Sequence, residues 1–197
     1  MPPAPSRRML WVALVFYSPM LASAIFVQPR SLLAVGPDRA ALLAQGLGLA
    51  VAVAASLAIV WASRWASGAT GWGRALRSEL GALMGGMDSP QILAVSLLSA
   101  FGEELLFRGV ALATLGIWLQ AGLFGAFHFP VRRALWPWTV FALAIGLGLG
   151  VLTQLSGSLW PAVLLHFCVN YFNLHDLADP RPPLPPSVPR PPGAAGA

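Results

Sequence analysis

Apolar stretches of roughly bilayer length recur through this chain, and they set its class before any motif is read. A helix needs about 20 predominantly apolar residues to cross the hydrocarbon core. Met9–Val27, Ala40–Ala62, Gln91–Leu115, Ile117–Phe129, Trp136–Gln154 and Pro161–Leu174 are candidate spans, the fourth and sixth being short. Only 10% of the 197 residues are charged, against about 25% in a soluble domain, and the mean hydropathy is +0.71. No soluble core hides that much apolar surface. The sequence predicts an all-α, polytopic membrane helix bundle with about six transmembrane helices.

The chain divides into two N-terminal spans within 1–62, a cytoplasmic connection over 63–89, a core over 90–177 and a disordered Pro-rich tail over 178–197. Residues 1–24 resemble a signal peptide, with Ala22-Ser23-Ala24 as the cleavage site, but a retained anchor fits a chain of similar spans better. In the connection, Trp65 and Trp72 are set to anchor an interfacial helix. Asp88-Ser89-Pro90 reads as a helix start, Gly116 as a break and Ser156-Gly157-Ser158 as a turn. Gly46-x-Gly48 suits close helix packing in lipid.

Six spans with an inner N-terminus put Arg7, Arg8, Arg64, Arg74, Arg77, Arg132, Arg133, Arg181 and Arg190 on the cytoplasmic side, and only Arg30 and Arg39 outside. That bias predicts cytoplasmic termini. All the basic residues are Arg, which suggests a GC-rich bacterial genome and hence a bacterial inner membrane. The net charge of +5 is scattered over termini and loops, so it suits anionic headgroups and gives no support to nucleic acid as a partner. The single Cys168 rules out an internal disulfide and a cysteine zinc cluster.

Inside this apolar frame stands Ser99-Ala-Phe-Gly-Glu-Glu-Leu-Leu-Phe-Arg-Gly109. Ionisable groups at bilayer depth are costly and mark function by default. Glu104 and Arg108 are four apart and share a helix face, so they pair. Glu103 points about 100° away and is left free as a general base. A purely structural ion network would have the same acidic motif. His128 and His166, with Asn170 one turn after the second, tip the balance, because they too lie at depth in a chain nearly bare of polar groups. If the chain turns back at Gly116, Glu103 and His128 both lie about 18–20 Å from the turn. Glu103, His128, His166 and Asn170 can then meet in one buried intramembrane pocket. His175 and Asp176 read as interfacial, and Thr153, Ser156 and Ser158 as packing and turn residues.

Glu-Glu-x-x-x-Arg, Phe-x-x-x-His and His-x-x-x-Asn, in this order within hydrophobic spans, resemble the motifs of the CPBP intramembrane protease family. That family includes the CAAX prenyl endopeptidases of the Rce1 type and the bacterial Abi proteins. The resemblance covers about Ser99 to Asn173 and makes 90–177 a CPBP-like catalytic core. It implies an intramembrane endopeptidase in which Glu103 with His128 activates water and His166 with Asn170 holds the scissile carbonyl or oxyanion. Glu104, Arg108 and Phe124 would support the site. The cofactor stays open: Glu103, His128 and His166 are ligands only if zinc is bound, and a glutamate with a histidine also deprotonates water unaided.

The substrate implied is a membrane-anchored or lipid-modified protein in the bilayer, with C-terminal processing or sorting-signal removal among the tasks. One alternative is a non-catalytic Abi-type bacteriocin-immunity protein. A remoter one is an ion or proton transporter, although the acidic motif occurs once and no internal repeat is found.

Overall fold

The computed structural model describes residues 7–27, 38–84, 86–129 and 132–178. The expected Pro-rich tail and nearly all of the link between the first two helices lie outside the described residues. The described chain is all helical: α1 (Arg7–Val27), α2 (Arg39–Ala69), α3 (Gly71–Met84), α4 (Ser89–Glu104), a π-helical stretch (Leu105–Ala111), α5 (Leu112–Phe127), a 3-10 turn (Arg133–Leu135), α6 (Trp136–Ser156) and α7 (Trp160–Ala178).

Local chemistry accounts for the ends. Asp38 caps α2 by accepting from the Ala41 N–H at 2.9 Å. Asp88 and Gln91 form a reciprocal capping box at α4, with Pro90 in its first turn. Gly157 ends α6 in the left-handed conformation, at φ 62°.

Stretches 39–69, 89–127 and 133–156 are long and apolar enough to cross a membrane, and Trp11–Ala22 is a shorter apolar helix. The last helix, Trp160–Ala178, is not among them. It carries His166, Asn170 and Asn173, which line an internal cavity, so its polarity serves the interior. Leu43, Leu47, Trp61, Trp118, Val140 and Leu155 are more than half exposed. So much apolar surface facing outward is what a lipid-facing bundle presents.

Several boundaries differ from the sequence expectation, and α7 runs on to Ala178, past the expected end at Leu174. The second span continues as helix to Ala69, because Ser63–Ser67 favours helix even where it no longer favours lipid; the Ser67 hydroxyl donates to the Ser63 carbonyl at 2.8 Å. The fourth span stops at Phe127, and His128 is its C-cap rather than an interior residue. A separate helix, α3, lies within the stretch expected to hold an interfacial helix, with Trp72 exposed on it and Trp65 exposed on the end of α2.

Helix α2 meets α6 and α7 around Ala52, Leu149, Leu152, Ala162, Leu165 and Val169. A Cβ at Gly48 would lie 2.8 Å from Ser156 Cβ and 2.9 Å from Pro161 Cγ, so that glycine sets the approach. Gly46 has open space around it and plays no such part. A second cluster joins Phe107 of the π stretch, Phe124 of α5 and Ala142 of α6.

The reversal at Gly116 matters most for the site. Its φ of 79° and ψ of 172° lie in a region essentially reserved for glycine. The chain beyond it runs back along the π stretch, bringing Phe124 edge-on to Phe107 at 5.0 Å. Gly116→Ala should cost about 1–3 kcal/mol and lower the melting temperature in detergent; an unchanged melting curve would show that the turn does not need this conformation.

Candidate active site

Three helical segments deliver the polar residues to one place. Glu103 lies in the last turn of α4, His128 caps α5, and His166 and Asn170 lie one turn apart on α7. Glu103 is 5% exposed, and its Oε2 has no hydrogen-bond partner. That oxygen lies 3.9 Å from Nε2 of His128 and 3.9 Å from Nε2 of His166. These gaps are too wide for direct hydrogen bonds, and a polar contact of this length suits an intervening water.

Both imidazoles are held from behind. His128 Nδ1 lies 2.7 Å from the Phe124 carbonyl, and His166 Nδ1 lies 2.7 Å from Glu104 Oε1. Carbonyl and carboxylate oxygens only accept, so each Nδ1 carries the proton, and a neutral ring turns its Nε2 lone pair towards Glu103. The Thr139 hydroxyl donates to the His128 carbonyl, and Trp138 packs edge-on to the His128 ring at 5.1 Å.

Glu104 is the centre of the support. Its Oε1 accepts from Arg108 Nη1 at 2.9 Å as well as from His166, with both partners of the ion pair fully out of solvent. Arg108 Nη2 donates to the Gly146 carbonyl at 3.1 Å, and Gln120 Nε2 donates to the same carbonyl at 3.0 Å. The guanidinium lies 4.4 Å from the centroid of the Phe124 ring, a cation–π contact. Asn170 Nδ2 donates to Ser99 Oγ at 2.9 Å. The structure thus gathers every site residue expected from the sequence: Glu103, His128, His166 and Asn170, with Glu104, Arg108 and Phe124 behind them.

Other contributors were not singled out. Gln120 is fully buried beside Arg108, and its one signal was an amide inside an apolar span. Tyr17 of α1 lines the same cavity as Glu103 and Ser99. The π stretch begins directly after Glu104; such bulges occur often at functional sites, but nothing in residue type announces this one.

A cavity of about 840 Å³ opens from Glu103, Ser99, His128 and His166 towards Trp72 and Leu80 of α3. Among its lining residues, Arg64 Nε pairs with Asp176 Oδ2 at 2.7 Å and Arg77 donates to the Asp176 carbonyl. A smaller void of about 40 Å³ lies behind His128, His166 and Asn170, enough for about one water.

The fit to zinc is one of chemistry but not of spacing. Donors sharing a tetrahedral ion at about 2.0–2.1 Å lie about 3.3 Å from each other, whereas Glu103 stands 3.9 Å from each imidazole. Among the described residues no group of three His, Cys, Asp or Glu is gathered so as to hold a metal ion. No step below passes through a metal.

Fold and site together define a membrane helix bundle with a buried carboxylate facing two imidazoles and an amide. Residues 86–172, less than half of the chain, match the family described as type II CAAX prenyl endopeptidase, Rce1-like. By that description the matched family is one of endopeptidases. An 83-residue stretch is 37% identical to YpbD of Bacillus subtilis (strain 168), a protein described as uncharacterised. The match covers 41% of this chain and 42% of YpbD, so the chain spans less than half of that relative. No solved structure matches the chain.

Removing one partner of the buried pair leaves an uncompensated charge. Arg108→Ala should destabilise the protein by about 3–5 kcal/mol, read as loss of folded protein in detergent; a variant that melts like the wild type would contradict the supporting role.

Proposed function

We propose that this protein is an intramembrane endopeptidase that cleaves a peptide bond of a membrane-anchored or lipid-modified protein with a water activated by Glu103 and His128. The observation that carries this reading is the buried, unpartnered Oε2 of Glu103, set equally between two Nε2 atoms. Buried polar groups are ordinarily paired, and Glu104 Oε2 lacks a partner too. What sets Glu103 apart is the pair of Nε2 atoms facing its open oxygen, whereas Glu104 is committed through Oε1 to Arg108 and His166.

The steps follow from the placement. A water in the gap donates one proton towards Glu103 Oε2 and the other towards the His128 Nε2 lone pair, leaving its own lone pairs for attack. Its oxygen bonds to the scissile carbonyl carbon as Glu103 takes the proton. The oxyanion collects hydrogen bonds from the second amide proton of Asn170, whose first is used on Ser99, and from His166 Nε2 once that ring has taken up a proton from solvent. Such preorganised donors are usually the largest single contribution to acyl-transfer catalysis. On collapse the C–N bond breaks and the proton on Glu103 passes to the leaving amine; the new carboxyl group gives the water's second proton to His128 Nε2 and departs as a carboxylate, and His128 returns that proton to solvent. The low-dielectric surroundings strengthen each of these interactions.

The largely apolar cavity running from the site to α3 accommodates a substrate segment held at the membrane. Arg64 and Arg77 line it, and the arginine bias assigns both to the cytoplasmic side of a bacterial inner membrane. Substrate therefore enters from that side, in this reading.

Glu103→Gln keeps the shape of the side chain and removes the base. Membrane-protein C-termini are to be compared in cells lacking the gene and complemented with wild type or with this variant. The expected result is that wild type restores a set of cleaved termini and the variant restores about a hundredfold less. Equal restoration by both would reject the reading.

A further inference from the structure

We infer that Tyr17 of α1 is a positioning residue for the Glu103 carboxylate, so that a helix outside the residues matched to the Rce1-like family completes the active site. The inference rests on the proposed hydrolytic role of Glu103. Helix α1 precedes the matched residues 86–172, yet its Tyr17 lines the same cavity as Glu103, His128 and His166. The phenol is in polar contact with both the Glu103 carboxylate and the Ser99 hydroxyl.

Packing fixes the phenol in place. A Cβ added to Gly102 would lie 3.3 Å from Tyr17 Cδ1 and 3.4 Å from its Cβ, so the ring rests on the backbone immediately before the two glutamates. Phe16 packs edge-on to the Tyr17 ring at 5.1 Å. One turn further on, Leu21 packs against the cluster of Ala100, Leu105, Leu159 and Val163, which binds α1 to α4 and α7.

The chemistry follows from which oxygen is left open. Glu103 Oε2 has no partner, so the phenol serves the carboxylate without occupying the atom that faces the imidazoles. The terminal torsion of a glutamate is broad and nearly two-fold, and burial alone does not aim it. A phenolic O–H donated to the carboxylate holds Oε2 towards the gap. Through Ser99, which accepts from Asn170, the same phenol links the base to the amide assigned to the oxyanion. A base displaced by about 1 Å loses on the order of a hundredfold in rate.

Tyr17→Phe retains the ring packing and removes only the hydroxyl. With the purified full chain and a substrate peptide taken from the termini identified above, kcat should fall ten- to a hundredfold while KM stays within about twofold. Wild-type kcat, or a rise in KM at unchanged kcat, would overturn the positioning role. Glu103→Gln run in parallel separates the two ideas. If that variant is active the hydrolytic reading fails, and if it is dead while Tyr17→Phe is normal only the present inference fails.

A second readout does not depend on how Tyr17→Phe folds. The chain has two tyrosines, so Tyr171→Phe protein grown on fluorotyrosine carries the label at Tyr17 alone. Its fluorine resonance should shift when Glu103→Gln is added, and a resonance that does not move would overturn the contact.

Discussion

Glu104 Oε1 holds the site together by accepting from two directions at once. Arg108 reaches it from the π stretch and His166 from α7, and Arg108 also reaches the Gly146 carbonyl of α6. One carboxylate and one guanidinium thereby tie three helical segments at a fixed level. A buried ion pair of this kind gains little net stability after desolvation. Its consequence here is geometric: it sets the His166 ring with Nε2 towards Glu103. The adjacent carboxylates therefore do different work: Glu104 holds Arg108 and His166 through Oε1, while Glu103 turns Oε2 towards two imidazoles.

That division depends on the surroundings being apolar. Phe107 and Phe124 pack beside the polar cluster, with Phe124 also beneath the guanidinium and edge-on to the His166 ring at 6.1 Å. Exposed apolar side chains cover the outside of the bundle, while α7 turns its polar residues inward to the cavity. In such a medium an unpartnered carboxylate oxygen is expensive, and it persists where a water or a substrate atom is its intended partner. Several buried polar atoms lack a partner here, Glu104 Oε2 and Arg108 Nε among them; the hydrolase reading stands on Glu103 Oε2 because two Nε2 atoms face it.

Much of this was legible in the residues. The i, i+4 spacing of Glu104 and Arg108, and the equal separation of Glu103 and His128 from Gly116, were enough to predict their meeting. Both depend on helix rise and periodicity, which a sequence states directly. The path of α2 beyond residue 62 was not legible, because hydropathy marks where lipid ends and not where a helix ends. The π stretch was equally hidden, since an extra residue in a helical turn leaves no mark in composition. Gln120 was visible as a lone amide in an apolar run. Tyr17 was visible only as a polar interruption of the first span, because its partner lies 86 residues further along the chain, at Glu103. No local pattern encodes a contact between those two helices.

The account turns on what occupies the gap between Glu103 Oε2 and the two Nε2 atoms. An experimental structure of the protein in a lipid nanodisc, at a resolution that shows ordered solvent, measures this directly. The account predicts a water oxygen within about 2.6–3.2 Å of both Glu103 Oε2 and His128 Nε2, with His166 still held by Glu104. A Glu103 side chain turned away into the acyl chains would contradict it, and so would an ion bonded to all three donors at about 2.0–2.1 Å.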